Sequence, residues 1–246
     1  MEKAKCGFAP AAALLWSRLM RTLFHMPLDP ASRMIRIALA EKGLPAQLVE
    51  KRPWEDEDGK LAAVNPAVTV PVLIDEPPTG GEIAIAPSSA IIEYLDEAYS
   101  SEPLLPSTSA ARAETRRLCA WFLEKFEREV AALTLRERID KRLRRRGQPD
   151  YELLKAGAEA LVWHLDYTEW LLDQRYWLAG ERMSAADLAA AGQFSALDYI
   201  DLVPWEKFPA VKDWYARLKS RPAMRPILRD RIDGLPPPAH YDNPDF

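Results

Sequence analysis

Short apolar runs separated by turn residues occupy the first 100 residues of the chain, whereas the remainder shows helical spacing almost throughout. Short runs rich in branched and aromatic side chains are typical of strands. We expect such strands at 22–25, 47–51, 70–75 and 82–86. Apolar residues recur every three or four positions over 32–42 and over 88–98, which predicts a helix in each range.

The order of these elements is strand, helix, three strands and a further helix, which is typical of a thioredoxin-like layer. We therefore expect residues 20–101 to form a thioredoxin-like domain with a four-stranded mixed sheet and helices. Prolines within 102–109 indicate a linker. Beyond this linker, four long segments with helical spacing predict an all-α helical bundle over 110–232, so the whole chain is of the α+β class. These segments are 110–146, 151–174, 184–199 and 210–220.

Composition and charge exclude several functional classes. The chain has 246 residues, of which 48% are hydrophobic and 28% charged, as expected for a globular protein with a sizeable core. A net charge of −4 gives no general attraction for nucleic acid, so no nucleic-acid partner is expected. No apolar run approaches the roughly 20 residues that span a bilayer, so no membrane insertion is expected. Two cysteines and three scattered histidines indicate neither a disulfide framework nor a metal site, and a cytoplasmic protein is expected.

The two ends of the chain are expected to lie outside both domains. Residues 1–19 include a short apolar stretch after two lysines, but no small-residue cleavage site of a signal peptide follows it. We expect this N-terminal extension to be disordered or to precede the true start codon. Residues 233–246 form a Pro-rich tail with three consecutive prolines, which favour an extended conformation suited to docking. A strap packed on the protein's own surface is the alternative for this tail.

Several motifs occur in an order that resembles the glutathione transferase superfamily. They are the helix at 35–44, the loop at 65–73, the pair Ser184 and Asp187 at a helix start, and the terminal helical region at 208–228. The resemblance covers residues 21–230 and implies the glutathione transferase fold, with a cis peptide bond before Pro71 and a buried capping box at Ser184. It also implies a homodimer, because two-fold pairing is the common arrangement for such chains.

The resemblance further implies a glutathione site that is altered in this chain. Its retained positions are Val70, Pro71, Ser88 and Ser89, of which Ser88 is also expected to be a helix N-cap. Pro87 stands where the family carries a Glu or Gln, and its side chain can neither donate nor accept a hydrogen bond. Asp29 stands at or near the position where active members of the family carry the hydroxyl or thiol that activates glutathione. A carboxylate at this position would raise the pKa of the glutathione thiol. Ser32 is the remaining catalytic candidate, and a role as helix cap is its alternative.

Three segments have the composition of protein-binding surfaces. The loop at 52–59 places Trp54 among charged residues, and Trp is frequent at binding hot spots. The segment 136–146 holds seven basic residues against two acidic ones, a local net charge of +5 that would attract an acidic partner. The Pro-rich tail ends in Asp245 and Phe246. The alternatives are a Trp54 folded onto its own domain and a solvated basic helix. The basic candidates for binding are Arg136, Arg138 and Arg142.

These features together resemble one branch of the superfamily, whose members bind filaments of the tubulin-like division protein FtsZ. The resemblance implies a non-catalytic adaptor that supports constriction, is recruited to the division site and contacts the cell-wall synthesis machinery through its tail. Such an adaptor needs no cofactor. The alternative is an active glutathione transferase or peroxidase of an atypical class, which would use glutathione on small electrophiles. A transcription- or stress-associated adaptor on the same fold is a third hypothesis.

Overall fold

The fold begins with a four-stranded mixed sheet. A computed structural model of the chain describes residues 21–77 and 80–244, so the predicted extension at 1–19 and the terminal Asp245 and Phe246 lie outside the described residues. The strands run in the order β2-β1-β3-β4, with β1 and β2 parallel and the other neighbours antiparallel. Each strand lies within two residues of its predicted bounds. The strands are β1 (Arg21–His25), β2 (Ala46–Glu50), β3 (Val72–Asp75) and β4 (Ile83–Ile85).

Helices cover the sheet and then form the second half of the protein. Those of the first half are α1 (Pro30–Glu41), α2 (Lys60–Val64) and α3 (Ser88–Ala98). Those of the second half are α4 (Ser109–Ala120), α5 (Lys141–Leu143), α6 (Tyr151–Leu172), α7 (Ala185–Tyr199), α8 (Pro209–Lys219) and α9 (Arg225–Leu228). Single 3₁₀ turns lie at Pro53–Glu55, Trp205–Lys207 and Pro222–Met224. The predicted fold class is therefore confirmed.

Two local features differ from the sequence prediction. The segment predicted to be helical over 110–146 is helical but not uniformly α-helical, because α4 continues into π-helical segments at Trp121–Ala131 and Arg136–Asp140 before α5. The short helix α2 was not predicted, since five residues carry too little periodicity. Its first turn is held by Asp56, whose carboxylate accepts hydrogen bonds from the backbone of Leu61 and Ala62 at 2.9 and 2.8 Å.

Helix α7 forms the centre of the core, and every one of its residues is buried. It lies against the start of α1, and a side chain at Gly192 would overlap the carbonyl oxygen of Pro30. Only glycine permits this close approach, which joins the two halves of the protein. The capping box predicted at the start of α7 is present. The Asp187 carboxylate accepts from the backbone N–H of Ser184 at 2.8 Å, and the Ser184 hydroxyl accepts from the backbone N–H of Ala186 at 3.3 Å.

No helix in the described ranges has the length and apolar character needed to cross a bilayer. Within the same residues, no group of three or more His, Cys, Asp or Glu side chains is placed to hold a metal ion.

Candidate functional site

The loop before β3 keeps the geometry expected of a glutathione-binding frame. The Val70–Pro71 peptide bond is cis, as predicted. The side-chain amide of Asn65 donates to the backbone and side-chain oxygens of Thr69 at 2.9 and 3.0 Å, which fixes the loop just before that bond. The backbone frame is thus present, whereas its ability to hold a ligand depends on the side chains around it.

The start of α3 differs from the sequence prediction. Pro87 occupies the N-cap position and the Ala86–Pro87 bond is also cis, so the prediction of Ser88 as N-cap is wrong. Ser88 is instead the first helical residue, 6% exposed, and its hydroxyl has no hydrogen-bond partner among the described residues. Since proline has no side-chain acceptor, the first turn of α3 lacks a side-chain cap.

A cavity of about 540 Å³ lies beside this helix start and is lined by Pro87, Ser88 and Ser89 together with apolar residues such as Leu123. Cys119 also lines it, and burial raises the pKa of this thiol to about 12. The thiol therefore stays protonated at neutral pH and is a poor nucleophile. The cavity can hold a small molecule. Its charged lining residues are Glu93, Arg116 and Glu124, and Arg116, the one basic side chain among them, is paired with Glu93 at 2.7 Å.

Asp29 occupies the region after β1 where the family's activating group is expected. Its carboxylate accepts from the backbone N–H of Ser32 at 2.7 Å and so forms the N-cap of α1, which makes the expected capping role of Ser32 wrong. The same carboxylate pairs with Arg136 at 2.9 Å. Ser32 is fully buried, and its hydroxyl accepts from the backbone N–H of Met26 at 3.3 Å. Neither side chain is free to act on a thiol in the cleft.

Arg136 is therefore an internal link between the two halves of the protein. Besides Asp29, its guanidinium pairs with Glu127 at 2.9 Å. Burial alone would lower the pKa of Arg136, but the charges of Asp29, Glu127 and Asp140 raise it above the ordinary value. Of the three basic residues predicted to bind a partner, Arg136 is the one that the described structure pairs with carboxylates of the protein itself.

Trp54 lies against the basic segment rather than standing alone in its loop. The guanidinium carbon of Arg144 lies 4.1 Å from the centroid of the Trp54 ring, a cation–π arrangement. The indole N–H donates to the Glu55 carboxylate at 3.2 Å. The two surfaces predicted separately at 52–59 and 136–146 thus form one surface.

Most arginines of the basic segment lack an acidic partner. Glu137 is paired with Lys141, and Asp140 faces Arg136, so the two acids of the segment are already used. Within the described residues, the ion pairs of this segment involve Arg136 and Lys141, and none within 4.0 Å of a carboxylate forms at Arg138, Arg142, Arg144, Arg145 or Arg146. These five arginines and Trp54 are called the arginine face below. Arg144 is stacked on Trp54 and its charge acts on Asp140, whereas the positive charge of the other four arginines is available to an acidic partner.

The described part of the tail, 233–244, packs on the protein together with the two residues before it, and residues 231–244 are called the strap. The Tyr199 hydroxyl donates to the carbonyl of Leu235 at 2.7 Å, and Tyr241 is fully buried, where its hydroxyl accepts from Arg33 at 3.0 Å. Arg142 donates to the carbonyl of Gly234 at 2.9 Å. The strap therefore adjoins the arginine face, so the predicted surfaces meet on one side of the molecule.

A second surface was missed from the sequence. Trp163 and Trp170 on α6 are 51% and 54% exposed. The Trp163 ring stacks on Trp121 at 5.5 Å, and Tyr167 lies 4.3 Å from Trp121, measured between ring centroids. These four side chains form an aromatic ridge along α6 and the adjoining π-helical segment. The spacing of 163, 167 and 170 was the available indication, but aromatic residues at such spacing usually face a core.

This architecture matches known sequence families. The family model for the glutathione S-transferase N-terminal domain matches residues 23–103, and that for the glutathione S-transferase C-terminal domain matches residues 136–222. The chain belongs to the glutathione S-transferase family.

Individual members of this family are similar to the chain over nearly its whole length. The chain is 50% identical over 226 residues to "FtsZ-localized protein A" of Caulobacter vibrioides, an alignment that covers 92% of this chain and 98% of that protein. The solved structure "FzlA from C. crescentus" superposes with a TM-score of 0.89 at 49% identity, covering 93% of this chain and all of that chain. A glutathione S-transferase structure from Rhodospirillum rubrum F11 gives a TM-score of 0.87 at 44% identity, with coverage of 92% and 100%.

Proposed function

We propose that this protein is a non-catalytic adaptor that binds FtsZ filaments and supports bacterial cell division. The similarity to FtsZ-localized protein A over nearly the whole of both chains carries this proposal. The arginine face supports it, because Trp54 lies against Arg144 in a segment rich in arginine, and Trp and Arg are both frequent at protein-binding hot spots. Binding would recruit the protein to the division site. A contact with the cell-wall synthesis machinery through Asp245 and Phe246 is part of the same proposal.

The chemistry around the cleft supports the non-catalytic part of the proposal. Activation of glutathione needs a donor or a positive charge beside its sulfur, because either stabilises the thiolate. The Asp29 carboxylate is held in place by Arg136, and the Ser32 hydroxyl is buried. Pro87 also removes the side chain that would hold the γ-glutamyl end.

We expect reduced glutathione to bind weakly, with no saturation at millimolar concentration in a calorimetric titration. The Pro87→Glu variant restores the acceptor beside Ser88 and is the matched comparison, with binding stronger than in the wild type. Sub-millimolar binding by the wild-type protein, together with turnover of a small electrophile, would contradict the non-catalytic proposal and favour the enzyme.

Co-sedimentation tests the filament proposal. FtsZ is polymerised with GTP, and the protein is expected in the pellet only when filaments are present. FtsZ held with GDP is the control for adhesion to unpolymerised protein. Recovery of the protein in the supernatant at micromolar filament concentration would overturn the proposal.

We also propose that the protein is a homodimer paired through the aromatic ridge. Isolated exposed apolar residues are ordinary, but five of the large exposed apolar side chains fall on the single helix α6. They are Tyr151, Leu153, Val162, Trp163 and Trp170. A dimer presents two arginine faces to one filament, and the second contact then forms at high effective concentration.

Light scattering after size exclusion tests the dimer. The wild-type protein is expected at twice the chain mass of 27.9 kDa, and the double variant Trp163→Glu, Trp170→Glu at the chain mass, because buried unpaired carboxylates oppose association. Tyr176→Glu, an exposed aromatic outside the ridge, is expected to leave the dimer intact. A wild-type monomer at 50 micromolar would contradict the proposal, as would a dimer that survives both ridge substitutions.

A further inference from the structure

A groove of about 490 Å³ separates the basic segment from the strap. Arg138 and Arg142 line it, together with the consecutive prolines at 236–238 and the buried Tyr199. Tyr199 fixes the strap on this groove, since its hydroxyl donates to the Leu235 carbonyl at 2.7 Å and accepts from the Ile232 backbone at 2.7 Å. The groove is therefore a fixed feature of the fold.

The two guanidinium groups are held in position but only partly used. Arg138 donates to the carbonyl of Ile200 at 3.2 Å, and Arg142 donates to the carbonyl of Gly234 at 2.9 Å. Each guanidinium carries five N–H donors, so most of them have no protein partner within the described residues. The two arginines are four positions apart on one helical stretch, which places them on a common face.

The remaining lining indicates the shape of the occupant. Prolines offer carbonyl oxygens and apolar rings but no N–H groups, so the strap wall favours side-chain packing over strand pairing. Asp201 also lines the groove and is exposed, which leaves two positive charges against one negative charge. An extended chain with carboxylate side chains fits both walls, because carboxylates take two parallel hydrogen bonds from a guanidinium.

We propose that this groove binds an extended acidic segment of the protein partner, with carboxylates held by Arg138 and Arg142. The identity of that partner rests on the proposed filament-binding function. The groove is distinct from the cavity beside α3, and it gives the arginine face a defined recognition site in place of a general positive field. A short Glu-rich segment on the partner satisfies both guanidinium groups at once.

Fluorescence anisotropy with a labelled, end-capped hexaglutamate peptide tests the groove directly. Arg142→Gln is expected to weaken peptide binding roughly ten-fold, because it removes one two-bond contact. Arg146→Gln makes the same change of charge outside the groove and is expected to shift affinity less than about two-fold. Asp201→Asn is expected to strengthen binding. Both arginine variants are first checked for wild-type thermal unfolding.

Three outcomes would overturn the groove assignment. The first is an equal loss of affinity in Arg142→Gln and Arg146→Gln, which is the result expected for a general positive field. The second is tighter binding of a single-stranded oligothymidylate than of hexaglutamate, which would assign the groove to nucleic acid. The third is unchanged co-sedimentation of Arg142→Gln with FtsZ filaments, in which case the proposed function stands without the groove. If hexaglutamate binds through Arg142 but filaments do not sediment the protein, the groove stands and the filament proposal fails.

Discussion

Replacing Asp187 with alanine is expected to lower the free energy of unfolding by about 4 kcal/mol, since it leaves several buried donors without a partner. The Asp187 carboxylate is fully buried and accepts from the backbone of Leu178 at 3.0 Å, the backbone of Ser184 at 2.8 Å and the indole N–H of Trp214 at 3.0 Å. It thus joins the start of α7 to the preceding turn and to α8. Removal of this side chain therefore breaks hydrogen bonds to the turn before α7, to the start of α7 and to α8.

Urea unfolding followed by circular dichroism measures this effect. Asp187→Asn keeps the volume and one acceptor oxygen and is expected to lose less stability than Asp187→Ala. Ser184→Ala removes the hydroxyl that caps α7 and donates to Asp187 at 3.2 Å, and it is expected to cost about 1 kcal/mol. Asp166→Ala, an exposed carboxylate on α6, is the matched control and is expected within about 0.5 kcal/mol of the wild type. An Asp187→Ala midpoint equal to that of Asp166→Ala would contradict the assigned role.

The strands and long helices were predictable because their apolar spacing is a local property. The π-helical segment was not predictable in the same way. Phe122, Phe126 and Val130 recur every four residues and are fully buried, and that spacing fits an α-helix and a π-helix equally over so short a length. The spacing therefore predicts which face of the helix is buried, but it does not distinguish an α-helix from a π-helix.

Helix caps show a second limit of local reasoning. Both Asp29 and Ser32 are capping residue types, and the sequence contains no rule that chooses between them. In the structure Asp29 is the cap, and its carboxylate also pairs with Arg136, a contact 107 positions away along the chain that the local sequence does not show. At α3, Ser88 is the favoured residue type, yet the helix begins one residue earlier than expected, at Pro87 as N-cap.

The candidate surfaces show a third limit. The composition of the Trp54 loop, the basic segment and the tail singled out each of them, but their meeting on one side depends on how the two halves of the protein pack. The contact between Trp54 and Arg144 and that between Arg142 and Gly234 are both long-range. Composition also overestimated the availability of Arg136 for binding a partner. A count of charges does not show that its guanidinium is paired with Asp29 and Glu127.

Trp54→Ala is expected to weaken binding to FtsZ filaments roughly ten-fold, because a central Trp at an interface commonly contributes more than 1 kcal/mol. The ring is half-buried and presents its face to Arg144 at 4.1 Å, so its removal takes away contact area and also frees the Arg144 guanidinium from its present position. The fold is expected to lose only about 1 kcal/mol, since the cation–π contact lies at the surface. Co-sedimentation over a range of filament concentrations gives the affinity.

Tyr176→Ala is the matched control for this substitution, because Tyr176 also carries an arginine, Arg217, at 4.5 Å from its ring and is 55% exposed. It removes an aromatic–arginine contact of the same kind outside the arginine face and is expected to leave filament binding unchanged. Trp54→Phe keeps an aromatic ring over Arg144 and is expected to bind with intermediate affinity. Equal affinities for the wild type and Trp54→Ala would remove Trp54 from the interface. Equal losses of filament affinity in Trp54→Ala and Tyr176→Ala would contradict a specific role of Trp54. Each variant loses one aromatic–arginine contact, and only that of Trp54 lies in the arginine face, so equal losses would indicate a general loss of stability.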